Sequence, residues 1–503
     1  MLADRRSVHL FNFHSTFRLM LLLALAVWSC GLSSAMEPPR KNEIARYKAD
    51  GTLAKRHQQA RLLANNQVSP KLLYDFAKRN GALRRGMAPP TGWQGGLPAT
   101  GSPKVLVLLV DFPDVPSNGL NSPAYVRQQM FGTAEVGARP YESLTNYYRR
   151  ASYGALNIRG NVLGWYRAKH SRRYYEKLGF GPGEEALIAE AIQYYDARGH
   201  DFSQYDSDHD GTIDSLFVKW TGPDNGWANF WWAYQWSWNA TDPIFADGKR
   251  VGHYVWSWIA NPGYDGAKRY APKVDIHETG HLLGLPDLYD YDASVGPGGG
   301  VGWLDMMDDN WGDHNAFSKA MLGWLKPQVV GRGQAWKSLA PSGSASDAVL
   351  IMPGASGDIF GEFFMVQYRK KGVGNDPLDY PASGMTIWHV DATLTPDGSD
   401  FLYDNSYTAH KYLRLMEADG LEHIETGSGP ADSGDFYVRG KTFTPLSMPN
   451  SSDYAGLPTG VTVSQFAVRS GQMRAYFAVT GAVGAALAPA ALTANAQPAP
   501  PGP

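Results

Sequence analysis

Asp275-Ile276-His277-Glu278-Thr279-Gly280-His281-Leu282-Leu283-Gly284-Leu285-Pro286-Asp287 is the stretch on which the reading of this 503-residue chain turns. Four residues of helix rotate the chain by about 400°, so His277 and His281 leave one face roughly a turn apart. Two imidazoles so placed can reach one zinc ion at about 2.0–2.1 Å each. Glu278 lies about 100° round the helix from His277, unsuited to be a ligand but able to reach a water on the metal, the general-base position of zinc proteases. A catalytic zinc takes three protein ligands and keeps one position open. On a continued helix Asp287 would lie about 15 Å from His277. Gly284 and Pro286 instead end the helix and turn the chain, so Asp287 is the candidate third ligand.

The spacing H-E-x-x-H-x-x-G-x-x-D matches the metzincin pattern, with Asp in the slot where His is commoner. The longer run from His277 to Asp290, HETGHLLGLPDLYD, resembles the zinc signature of the M6 peptidases, the immune inhibitor A family of secreted bacterial metalloproteases. Gly302-Trp303-Leu304-Asp305-Met306-Met307 and Ser318-Lys319-Ala320-Met321-Leu322-Gly323-Trp324 continue the resemblance. It implies a methionine in a tight turn beneath the zinc, and Met306 and Met307 both qualify. Ordinary core packing accounts for either one equally well.

Upstream of the motif, residues 104–112 form a continuous apolar run, as expected of a central strand buried on both faces. Helices are expected at about 122–131, 142–152 and 184–198, and strands at 155–166 and 216–220. Strands alternating with helices up to the zinc helix predict an α/β (α+β) catalytic domain over residues 101–330, metzincin-like by the resemblance. Between helix and strand, Asp206, Asp208, Asp210, Thr212 and Asp214 follow the first half of an EF-hand loop, with Gly211 at the sharp turn. The twelfth position is Phe217, not Glu, so the loop is closer to the shorter D-x-D-x-D-G-x-x-D calcium turns. Carboxylates two apart repel unless a cation sits between them, and a structural Ca2+ is expected here. Seven tryptophans crowd residues 227–258. They read as core and cleft wall, or as a substrate or sugar platform.

Downstream, residues 362–368, 384–390, 412–416 and 472–479 alternate with period two. They predict a mostly β, sandwich-like domain over 331–480. His389, His410 and His423 have no ligand spacing. Asp432-Ser433-Gly434-Asp435 is a weaker calcium candidate. Residues 481–503, rich in Ala and Pro, read as a disordered tail.

The N-terminus carries a different signal. Arg5, Arg6 and Arg18 precede the apolar run 19–28, and Ser33-Ser34-Ala35 is a cleavage site, so residues 1–35 read as a secretory signal peptide. Lipid anchoring through Cys30, the single cysteine, is the less favoured variant. The apolar run is too short for a typical span, and no stable membrane insertion is expected. Residues 36–100 read as a pro-segment and linker, charged and weakly helical. Residues 36–85 hold 12 Lys/Arg and 4 Asp/Glu in a chain of net charge -2. The acidic body argues against nucleic acid as a partner, and the basic arm is suited to cover an acidic cleft. The function expected is a secreted zinc metalloendopeptidase with zinc on His277, His281 and Asp287, Glu278 as general base, protein or peptide substrates, and a monomeric state. The rival reading is a secreted glycan- or protein-binding protein with a vestigial zinc site.

Overall fold

The computed structural model describes residue 39 and residues 41–480, apart from 85–86, 90–95, 134–140, 239–242, 261–268, 293–298, 352–358 and 407–410. The expected leader with Cys30, the tail and His410 lie outside the described residues. The fold is mixed α/β with several sheets. Three helices open it, α1 (Lys41–Ala49), α2 (Leu53–Leu63) and α3 (Pro70–Arg79). The start of α3 follows from its sequence: the Ser69 hydroxyl accepts from Leu72 N–H, and Pro70 fills the first turn.

The central sheet has the strand order β2-β1-β4-β8-β5. It comprises β1 (Lys104–Asp111), β2 (Arg159–Arg167), β4 (Leu216–Trp220), β8 (His253–Trp258) and β5 (Tyr234–Ser237). The first four are parallel, and β5 closes one edge antiparallel to β8. Alternation along β1 explains its unbroken apolar sequence. Val105, Val107 and Leu109 enter one core, and Leu106, Leu108 and Val110 enter a second core on the opposite face. Helices α4 (Pro123–Phe131), α5 (Leu144–Ala151), α6 (Arg172–Leu178) and α7 (Pro182–Asp196) cross over between the strands. A small sheet of β3 (Thr212–Ile213), β7 (Lys249–Val251) and β6 (Phe245–Ala246) flanks the acidic loop. The helix that carries His277, Glu278 and His281, α8 (Lys273–Leu282), follows β8, and the short α9 (Met306–Asp309) and α10 (Ala316–Met321) come after it.

Beyond these lie two further sheets. One joins β9 (Gln328–Val330), β11 (Val349–Ile351), β12 (Glu362–Arg369), β13 (Gly384–Asp391) and β14 (Leu413–Leu415). The other joins β10 (Gly333–Leu339), β15 (Val461–Arg469) and β16 (Gln472–Val479). Ile351, Phe364 and Ile387 from the first share a core with Leu339, Val463 and Phe477 from the second. Sheet thus lies on sheet.

Packing does not break at residue 100 or at residue 330. Val68, Leu72, Phe76 and Leu97 belong to the same core as Val107, Ile276 and Met307, and so do Trp388, Leu413 and Phe436. The tryptophans are core as well. Trp227, Trp231, Trp232 and Trp256 are fully buried; Trp231 packs edge to face on Trp220 and Phe230, Trp256 on Phe230, and Trp227 on Trp232, so they offer no open platform.

Candidate metal centre and active site

Helix α8 ends where its sequence says it must. Gly284 has a φ of +95°, a conformation L side chains rarely adopt. Gly284 N–H donates to His281 O at 2.8 Å and Leu285 N–H to Gly280 O at 2.9 Å, the paired bonds of a Schellman terminus. The chain then doubles back and brings Asp287 to the two histidines.

His277 Nε2 lies 2.9 Å from Asp287 Oδ1 and 3.2 Å from His281 Nε2, and His281 Nε2 lies 3.3 Å from the same Oδ1. Tetrahedral ligands at about 2.0–2.1 Å from zinc are separated by about 3.3 Å, so the triangle fits one such ion. The outer nitrogens fit as well. His277 Nδ1 is 2.8 Å from Met306 O and His281 Nδ1 is 2.9 Å from Leu285 O. Each Nδ1–H has a carbonyl to donate to, which turns the Nε2 lone pairs toward the shared point. Tyr291, absent from the sequence reading, donates to Asp287 Oδ2 at 2.5 Å and leaves Oδ1 for the shared point. Burial pushes the Asp287 carboxyl up, but the imidazoles of His281 and His277 outweigh it and hold it well below the usual carboxylate range. Burial lowers His277 and favours the neutral ring that a metal needs.

Glu278 is fully buried, and neither of its oxygens has a hydrogen-bond partner among the described residues. Burial, then the charges of Asp287 and Asp275, push it well above the ordinary glutamate range, while Lys219 pulls it down. A carboxylate poised to hold a proton suits a group that shuttles one.

The two methionines divide the space under the helix. Met306 supplies the carbonyl facing His277. Met307 Sδ sits 2.2 Å from where a Cβ on Gly280 would be, so only glycine admits it there. Met307 O also accepts from Leu288 N–H at 2.8 Å, tying the ligand turn to the methionine turn.

The N-terminal helices lie on this centre. Asn65 O accepts from Asp287 N–H at 2.7 Å, Ser69 N–H donates to Gly284 O at 3.0 Å, and Leu97 N–H donates to Leu282 O at 2.8 Å. Arg56 reaches the carbonyls of Trp227 and Asn225, and His57 and Arg61 approach Asp292. All four motif side chains are buried beneath this cover.

Carboxylate oxygens of Asp206, Asp208 and Asp210 lie within 4.8 Å of one another. Asp206 Oδ1 is buried without a hydrogen-bond partner among the described residues, while Oδ2 pairs with Lys249 Nζ at 2.6 Å. Asp214 turns away to accept from Ser207 N–H, and Thr212 N–H donates to Asp210. The weaker candidate is rearranged. Asp432 caps a single turn, and Asp435 gathers instead with Glu417 and Asp419, which local spacing does not show. His389 pairs with Glu362, and His314 is buried among tyrosines beside Asp305.

Comparison with known proteins bears on the same region. Residues 96–332 match the family model of the immune inhibitor A peptidase M6 catalytic domain. The chain is 26% identical over 280 residues to the pre-pro-metalloprotease PrtV of Vibrio cholerae, a match covering 46% of this chain and 30% of that protein. It is 26% identical over 258 residues to immune inhibitor A of Bacillus thuringiensis, covering 41% of this chain and 36% of that protein. The chain thus spans about a third of the length of these relatives. The matched region contains the helix, the turn and the three converging donors, and over residues 96–332 the chain is similar to the catalytic domain of the M6 peptidases.

Proposed function

We propose that this protein is a secreted, zinc-dependent metalloendopeptidase. The observation that carries the reading is the convergence of His277 Nε2, His281 Nε2 and Asp287 Oδ1 within 3.3 Å, with the uncommitted carboxylate of Glu278 beside them. When bound, zinc supplies Lewis acidity toward the scissile carbonyl and toward water. Glu278 takes the proton of the attacking water and passes it to the departing amine. His277, His281 and Asp287 hold the ion, and Tyr291 and the carbonyls of Met306 and Leu285 hold them in turn. The test is casein hydrolysis by wild type and Glu278→Ala, with zinc content measured on both. Turnover by the wild type alone, at about one zinc each, is expected. Equal turnover would remove Glu278 from the mechanism.

The basic N-terminal segment is read as an inhibitory pro-segment. Its support is that Asn65, Ser69 and Leu97 bond to the backbone of Asp287, Gly284 and Leu282, beside the buried motif. The name pre-pro-metalloprotease carried by one relative is in keeping with this. Limited proteolysis within residues 41–84 should raise activity by at least about tenfold, a fall in ΔG of inhibition of about 1.4 kcal/mol. Unchanged activity would assign the segment a purely structural role. The acidic loop is read as a structural calcium site on the grouped Asp206, Asp208 and Asp210. Calcium should raise the melting temperature of the wild type and not of Asp208→Ala/Asp210→Ala.

A further inference from the structure

Lys219 lies in the middle of the central sheet, directly opposite Ser257 in the register of the parallel strands β4 and β8. On β4, Phe217 two residues earlier faces the core that contains Ile276 of α8, and Lys219 shares that face. There it meets Asp275, in the first turn of α8. Lys219 Nζ is 3.0 and 2.9 Å from the two Asp275 oxygens and 2.7 Å from Ser257 Oγ. Ser257 donates to Asp275 Oδ1 at 2.9 Å, and the Tyr270 hydroxyl donates to Oδ2 at 2.5 Å. The Lys219 side chain is 2% exposed and that of Asp275 0%.

A buried ion pair is a poor source of stability, because the cost of taking two charges out of water roughly cancels their attraction. What such a pair does supply is direction. Apolar contacts between α8 and the sheet tolerate sliding and rotation, whereas a doubly bonded ammonium–carboxylate pair with two further hydroxyl donors defines one arrangement. The helix that is held this way carries His277, Glu278 and His281. Asp275 precedes Glu278 by three residues, about 4.5 Å along the axis.

We propose that Lys219 is a positioning residue for peptide hydrolysis: through Asp275 it fixes the rotation and depth of the metal-site helix on the sheet, and thereby the place of Glu278 relative to the substrate. The inference rests on the peptidase reading. A misplacement of about 1 Å at the reacting group costs about a hundredfold in rate, so loss of the anchor falls on kcat.

The test uses the full chain after limited trypsin treatment, assayed on a quenched fluorescent peptide, with melting temperature and zinc content measured in parallel. Lys219→Met alone should melt earlier, since it strands the Asp275 carboxylate. Lys219→Met/Asp275→Leu should regain the wild-type melting temperature and one zinc, but with kcat down about tenfold or more at a KM within about twofold. Wild-type kcat in that stable double variant would overturn the proposal and leave the pair a structural one. Tyr270→Phe decides the matter if the double variant does not fold. It keeps the ring and deletes one bond to Asp275, and it should lower kcat by about threefold at unchanged KM. Wild-type kcat there would overturn the proposal equally. Absence of hydrolysis by zinc-loaded wild type would instead remove the peptidase reading, and this inference with it.

Discussion

Tyr291 illustrates how much of this centre sits one bond away from the motif. Its hydroxyl occupies Asp287 Oδ2 and so decides which oxygen faces the histidines. Outer partners of this kind are commonly worth a factor of about 10–100 in metal affinity. Tyr291→Phe should therefore bind zinc about 10–100-fold more weakly in competition with a chromogenic chelator, with folding intact. Wild-type affinity would make the bond incidental. The anionic character of Asp287 has its own consequence. A carboxylate ligand withdraws less charge from a zinc-bound water than a neutral imidazole does, so the wild type should need a higher pH. In Asp287→His the acidic limb of the pH–rate profile should move to lower pH, and a shift the other way would contradict the argument.

At the scale of elements, the turn after α8 and the edge strand β5 make separate demands. Gly284 combines a φ of +95° with neighbours that leave no room, since a Cβ would lie 2.2 Å from Ser69 Oγ and 2.7 Å from Leu72 Cβ. Gly284→Ala should lose about 2–4 kcal/mol in urea unfolding, from left-handed strain and overpacking together. A loss below about 1 kcal/mol would mean that the N-terminal segment yields instead. On β5, the Tyr234 hydroxyl donates to the buried Glu184 at the start of α7. Burial pushes Glu184 from 4.5 to about 8. The folded value lies above the unfolded one, so stability is complete below about pH 4.5 and is lost as the pH rises toward about 8. Glu184→Gln should consequently melt higher than wild type at pH 9 and close to it at pH 4.5. Parallel curves across that range would show that Glu184 does not titrate in the fold.

At the scale of the molecule, helix α3 and part of the β-rich region share one core with strand β1 and helix α8. Leu72, Leu73 and Phe76 are each at least 95% buried against it, and burying such side chains is worth roughly 1.5–3 kcal/mol apiece. The β-rich region buttresses the methionine turn from below. Arg369, paired with Asp376, donates to the carbonyls of Leu304 and Asp313, and Tyr380 donates to Leu304 O. A chain of residues 101–330 alone should lack a cooperative melting transition in circular dichroism. A sharp transition in that fragment would show the catalytic region to be self-sufficient.

The local parts of this protein were legible in its residues because local geometry is set by nearby atoms. Helical pitch places His277 and His281 together, the left-handed requirement at Gly284 ends the helix, and the unbroken run 104–112 is a strand with core on both faces. The helices and strands expected between 122 and 220 lie within a few residues of those observed, while α6 (Arg172–Leu178) and β3 (Thr212–Ile213) were not expected. Other features depend on contacts between residues far apart in the chain, which no spacing rule encodes. Lys219 reads as an exception in an apolar strand until the fold brings Asp275 to it. Glu417 and Asp419 join Asp435 only because the loops carrying them meet. Loop spacing names Thr212 and Asp214 as further candidate ligands, and in the folded loop the carboxylates of Asp206, Asp208 and Asp210 come together. The charged segment 36–85 looks weakly helical in isolation, since its apolar residues have value only against a surface. Its docking on α8 and the turn after it, like the core shared across residues 100 and 330, was decided by tertiary packing, where burial is summed over residues far apart in the chain.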